Sequence, residues 1–133
     1  MRAARERGEA VRRGELAHAV GDARATEADV DAAAARTLAA RDALAAARIA
    51  KDEATTPARL VLHERFVARR RAELERALAA EARARAIHGG KLDAVDAARG
   101  QLAQARAERE LIERHFARWR DAQRKLADRR ADD

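Results

Sequence analysis

The chain has 133 residues and a net charge of +6, with an isoelectric point near 11.0, a length that suits one domain or one long hairpin. Hydrophobic residues make up 47% but aromatic residues only 2%, and most of the apolar share is alanine, which excludes a wide core and points to a thin seam between helices. There is no cysteine, so disulfides, thiolate metal sites and cysteine nucleophiles are excluded, and no apolar run approaches the ~18 residues of a membrane span.

The first segment, "MRAARERGEAVRRGEL", is basic and lacks the apolar stretch of a secretory signal, so a cytosolic or cytosol-facing protein is expected. A helix is predicted over about 2–54. Its large apolar residues are Val11, Leu16, Val20, Val30, Leu38, Leu44 and Ile49, with Ala23 and Ala34 between them. Most spacings are three, four or their multiples, giving a narrow stripe rich in alanine. Gly8, Gly14 and Gly21 each weaken the helix by roughly 1 kcal/mol relative to alanine, so fraying is expected at its start unless a partner holds it.

"KDEATTPARL" interrupts the helical texture. Pro57 suits a first helical position, where its missing N–H has no partner to lose, and it pushes Thr56 out of the α region. Thr56 is then the N-cap, its hydroxyl accepting from an amide of the first turn. The first helix should end near Glu53 or Ala54, a turn should occupy about 55–56, and a second helix should run over about 57–131. Arg59 stands where a capping box would place Glu.

In the second helix Leu60, Val67 and Leu74 lie seven apart. Val95, Ala98, Leu102, Ala105, Arg109, Ile112, Phe116, Trp119, Gln123 and Leu126 then alternate steps of three and four, the pattern of a heptad seam. The run "AIHGGKLD" allows two architectures. Two glycines cost a helix about 2 kcal/mol, and glycine also ends helices, so a second turn at Gly89–Gly90 would give a three-helix bundle. The heptad phase instead passes from Leu74 through Glu81 and His88 to Val95, which favours an all-α, long two-helix antiparallel coiled-coil hairpin over the whole chain, 1–133. At 1.5 Å per residue the helices would measure about 80 Å and on the order of 110 Å, so the second should extend past the first.

Catalytic and metal motifs are absent. The glycines do not form a phosphate loop, and there is no GxSxG or HExxH. His18, His63, His88 and His115 are scattered and have no further ligands at helical spacing. Asp29 and Asp31 point apart on a helix. A shaped, water-excluding pocket has no evident place, so neither an enzyme nor a cofactor is expected. Acidic and basic residues are interspersed, and Arg69, Arg70 and Arg71 fall on successive positions around the helix without aromatic residues for base stacking. Nucleic acid is therefore not the expected partner, although the charge keeps a basic nucleic-acid-associated protein and a self-associating coiled coil as alternatives. The tail "RWRDAQRKLADRR" joins a basic surface to an apolar stripe. That pairing suits a protein groove better than a membrane surface, or else pairing with the first helix.

A long helix, a break, and a longer helix closing on "ELIERHFARWRDAQRKLADRRADD", with an echo in "LVLHERFVARRRAELERAL", together resemble the FliJ/YscO-type stalk proteins of type III secretion and flagellar export. Residues 108–130 carry most of the likeness. It implies a hairpin like that of the rotary ATPase γ subunit, seated in a hexameric secretion ATPase with both termini at the ATPase end and the turn toward a membrane export-gate protein. Export chaperones are further partners of some members, and there is no active site. By position, the resemblance assigns the ATPase-facing surface to Arg114, Phe116, Arg118, Trp119, Arg120, Arg124 and Arg130. Arg2, Arg5, Arg7, Arg12 and Arg13 would lie opposite, with Phe66 and Val67 at the gate-facing end. The implied location is cytoplasmic, peripheral to the inner-membrane export apparatus, without membrane insertion.

Overall fold

The computed structural model describes residues 2–50 and 56–132. It is all-α: helix α1 runs over Arg2–Ile49 and helix α2 over Pro57–Asp132, with no strand among the described residues. The expected end of the first helix near Glu53 or Ala54, and Thr55 of the expected turn, lie outside the described residues. Thr56 caps α2 as its sequence context requires. Its hydroxyl accepts from the Arg59 amide at 3.3 Å, and its carbonyl accepts from the Leu60 amide at 2.9 Å. Arg129 and Arg130 close the last turn of α2, where cations meet the negative end of the helix dipole.

The second turn at Gly89–Gly90 does not exist, because α2 is one helix through both glycines. Neither has a positive φ, so nothing in the backbone calls for glycine there. α1 is likewise helical from Arg2 through Gly8, Gly14 and Gly21.

The chain divides into two compact units, each built from a stretch of α1 and a stretch of α2. In the unit Gly21–Asp93, Asp22 reaches Lys91 at 3.5 Å, and the Thr26 hydroxyl lies 2.9 Å from His88 Nδ1. Partners that rise in one helix as they fall in the other mark an antiparallel pair. Ala23, Ala33, Leu44 and Ala47 are its buried apolar residues, and Thr26, Thr37 and Glu81 are buried beside them. In the unit Met1–Val20 with Ala94–Asp133, Val95, Ala98 and Leu102 are buried apolar residues and Glu9 is buried with them. Arg12 donates to Gln101 at 3.0 Å and Arg109 donates to Glu9, again antiparallel.

Burial along α1 corrects the predicted stripe. Its buried and half-buried positions are Glu9, Arg12, Leu16, Ala19, Val20, Asp22, Ala23, Thr26, Val30, Ala33, Ala34, Thr37, Ala40, Ala43, Leu44 and Ala47, and they contain a run from Glu9 to Ala47 in alternating steps of three and four. Val11, Leu38 and Ile49, assigned to the stripe from their size, are 59%, 60% and 74% exposed. They fall between the heptad's core positions, and small or polar side chains occupy those positions instead. On α2 the predicted phase matches burial from Val67 to Ile112, whereas Leu60, assigned to the seam, is 38% exposed. His63, Val67, Arg70, Leu74, Ala77, Glu81, Ala84, His88, Lys91, Val95, Ala98, Leu102, Ala105, Arg109 and Ile112 are all buried or half-buried.

Two substitutions check this packing. A Cβ added at Gly89 or Gly90 meets nothing within 4 Å, so Gly89→Ala and Gly90→Ala should each raise stability by about 0.5–1 kcal/mol in urea unfolding followed by circular dichroism. A loss of stability would restore the second turn. Thr37 is 3% exposed and its hydroxyl has no hydrogen-bond partner. Thr37→Val keeps the shape and removes that unmet group, so it should gain about 1 kcal/mol.

Candidate functional site: the exposed stripe of helix α2

A groove in the unit Met1–Val20 with Ala94–Asp133 measures about 610 Å³ and is lined by Arg5, Arg109, Ile112, Glu113, Phe116, Trp119 and Arg120. Its floor is the seam-facing stripe of α2. Ile112 is half-buried, but every residue from 113 to 132 is exposed. Phe116, Trp119 and Leu126 remain 47%, 54% and 45% exposed although they keep the heptad phase of the buried residues before them.

A salt-bridge node bounds the groove on the seam side. Glu9, 3% exposed, accepts from Arg13 at 2.6 Å and from Arg109, and Arg106 Nε lies 3.5 Å away. Arg13 stands one turn along α1, while Arg106 and Arg109 stand one turn apart on α2, so a single carboxylate ties the two helices together. The hydrogen bond from Arg13 does most to hold the Glu9 carboxyl below the ordinary carboxylate value. Burial pushes the other way, and the Arg109 charge adds to the lowering. The pair is one seam thick, so water lies close behind these arginines. Arg109 also approaches Glu113 at 3.8 Å, which places its guanidinium between the node and the groove.

The residues assigned by position separate into two groups. Arg114, Phe116, Arg118, Trp119, Arg120, Arg124 and Arg130 all lie on the exposed part of α2. Only Phe116, Trp119 and Arg120 line the groove, joined from α1 by Arg5. Arg114 reaches Glu110 at 3.5 Å, and Arg118 donates to the Arg114 carbonyl at 3.4 Å, so both run along their own helix. His115 meets Phe116 edge-on, with centroids 6.4 Å apart. Of the α1 arginines expected opposite, Arg7 donates to the Ala3 carbonyl, Arg12 pairs with Glu15 at 2.8 Å, and Arg13 is committed to Glu9.

Phe66 and Val67 belong to the unit Gly21–Asp93. Arg70 lies 5.0 Å and Arg69 6.0 Å from the Phe66 ring centroid, so this ring is already occupied by cations of its own helix. Val67 is half-buried on the seam side and lines a groove with Arg48, His63 and Arg71.

The Glu9 node and the Thr26–His88 contact were not read from the sequence. Their signal is present: counting threonine, alanine and Glu9 as core residues recovers the alternation of three and four along α1. Among the described residues no group of three His, Asp or Glu side chains could hold a metal ion, and no helix is long and apolar enough to cross a membrane.

These features define a class: an antiparallel α-helical hairpin whose alanine-rich seam runs on into an exposed, basic, aromatic-bearing stripe. Comparison with protein-family models, with curated proteins and with solved structures gave no match.

The lowered Glu9 value has a direct consequence. A carboxyl whose value is lowered on folding contributes stability that is complete above its unfolded value and is lost as pH falls through its folded value. Glu9→Gln should therefore lower the melting temperature at neutral pH, and the gap from the unsubstituted chain should close below about pH 4. A gap that persists in acid would show that packing, not charge, holds Glu9.

Proposed function

We propose that the chain is a non-catalytic helical stalk, the central stalk and regulator of a type III secretion or flagellar export ATPase, linking the ATPase ring to the export gate from the cytoplasmic side of the inner membrane. The observation that carries this reading is the stripe Ile112, Phe116, Trp119, Gln123 and Leu126. It is built as a helix-pairing surface, left open, and flanked by Arg118, Arg120, Arg124, Lys125 and Arg129. A charged, narrow helical end of this kind suits the lumen of a protein ring. The resemblance to FliJ/YscO-type proteins names the ring, and export chaperones would be further partners.

Internal charge pairing favours a protein partner over nucleic acid. Arg12, Arg13, Arg70, Arg85, Arg99, Arg106, Arg109 and Arg114 each lie within salt-bridge distance of a carboxylate of the same chain. These arginines are already engaged with carboxylates, which weakens the electrostatic footprint they can offer to phosphates.

Mixed with an export ATPase of its own organism at low salt, the chain should co-elute in size exclusion and change the hydrolysis rate. The double variant Phe116→Ala/Trp119→Ala should keep its helical circular dichroism and lose about tenfold or more in affinity, as expected for central aromatic contacts. Absence of co-elution by the unsubstituted chain would exclude the stalk.

A further inference from the structure

The open stripe has a chemistry that selects its occupant. We propose that residues 112–126 of α2 dock one acidic, alanine-rich helix of a partner protein, laid antiparallel on the stripe in heptad register. This inference rests on reading the stripe as a docking surface and adds what the surface accepts.

Continuity with the existing interface is the first argument. Ala105, Arg109 and Ile112 are half-buried where α2 faces α1, and the same three-and-four alternation proceeds to Phe116, Trp119, Gln123 and Leu126, which are exposed. A surface that already pairs with a helix thus continues without a change of phase for about 21 Å, at 1.5 Å per residue. Size is the second argument. Phe116 and Trp119 are the bulkiest residues of the seam and sit one turn apart, so a facing helix can approach closely only with small side chains opposite them.

Charge decides the rest. Over residues 111–132, Arg114, Arg118, Arg120, Arg124, Lys125, Arg129 and Arg130 oppose Glu113, Asp121, Asp128 and Asp132. In an antiparallel pair, equivalent flanking positions face each other, as Arg48 and Glu64 do where they line one groove of the unit Gly21–Asp93. A second copy laid on the stripe would bring two net-positive segments together, a like-charge approach that costs affinity. Glutamates flanking the seam of a different helix would meet Arg120, Arg124 and Arg5 instead, and Arg5 already lines the groove.

Trp119 is the chain's only tryptophan, so its emission reports directly on the stripe. The full chain is titrated with a synthetic helical peptide about three heptads long, with Ala and Leu at core positions and Glu at flanking ones. A matched peptide carrying Lys at the flanking positions serves as control. The Glu peptide should shift the emission to the blue and saturate, bind about tenfold or more tighter than the Lys peptide, and weaken with salt. Arg120→Glu, an exposed site that leaves the seam intact, should narrow or reverse that preference with unchanged circular dichroism.

Equal response to both peptides, or none, overturns the inference. So does a concentration-dependent blue shift without peptide together with dimerisation in sedimentation, which would make a second copy the occupant. A shift produced by anionic phosphatidylserine vesicles but not by the Glu peptide overturns it in favour of a lipid surface. A chain that answers the Glu peptide yet does not bind the export ATPase upholds the acidic-helix surface and removes the stalk assignment.

Discussion

The constraint on which the structure depends is the smallness of the side chains between its helices. Alanine and threonine recur at the core positions of α1, and alanine at many of those on α2. Each buries little apolar area, at about 25 cal/mol per Å², so hydrophobic contact alone specifies register weakly. Polar groups add the direction that the alanines lack. Glu9 is shared by Arg13, Arg106 and Arg109 in one unit, and Thr26 meets His88 while Asp22 meets Lys91 in the other. A slip by one heptad would part Glu9 from Arg106 and Arg109 and leave it with only Arg13 of its own helix, which costs more than the loss of one alanine contact. Buried polar residues that set pairing at some expense of stability are a recognised use of heptad core positions.

The same thinness shapes what the protein can do. Within each unit the two helices meet face to face, and the grooves they leave are open and lined largely by charged and polar side chains, with Ile112, Phe116 and Trp119 in one of them. Recognition must therefore use the outer faces. On those faces arginine and carboxylate are interspersed, and several of them pair. The tail of α2 differs, because the seam-facing residues there include two aromatic rings that stay open and the flanking charge is mainly positive. In the docking we propose, the interface that folds the chain continues as the surface offered to a partner, helical, in heptad register and opposite in charge.

The fold was largely legible from residue pattern. Pro57 and Thr56 announce the start of α2, and the phase from Val67 to Ile112 identifies its buried face, because apolar residues recurring at heptad spacing are a strong periodic signal. The same signal weighed against a break at Gly89 and Gly90 and favoured the hairpin over the three-helix bundle. α1 was read less well. Val11, Leu38 and Ile49 drew the stripe toward themselves although they face solvent, since hydrophobic size is a poor guide when the core positions hold alanine, threonine and a glutamate.

What the sequence determined by itself is the class of fold, two antiparallel helices joined at a proline-capped break, together with the face of α2 that carries Phe116 and Trp119. Only the tertiary structure decided which carboxylate is buried, which arginines clasp it, and which threonine meets a histidine. Periodicity is a property of one helix, whereas an ion pair between Glu9 and Arg109 depends on the stagger of two, and stagger is set where side chains a hundred residues apart come within hydrogen-bond reach. For the same reason the openness of the Phe116 and Trp119 stripe was a matter of pairing: the residues that would cover it must come from outside α2.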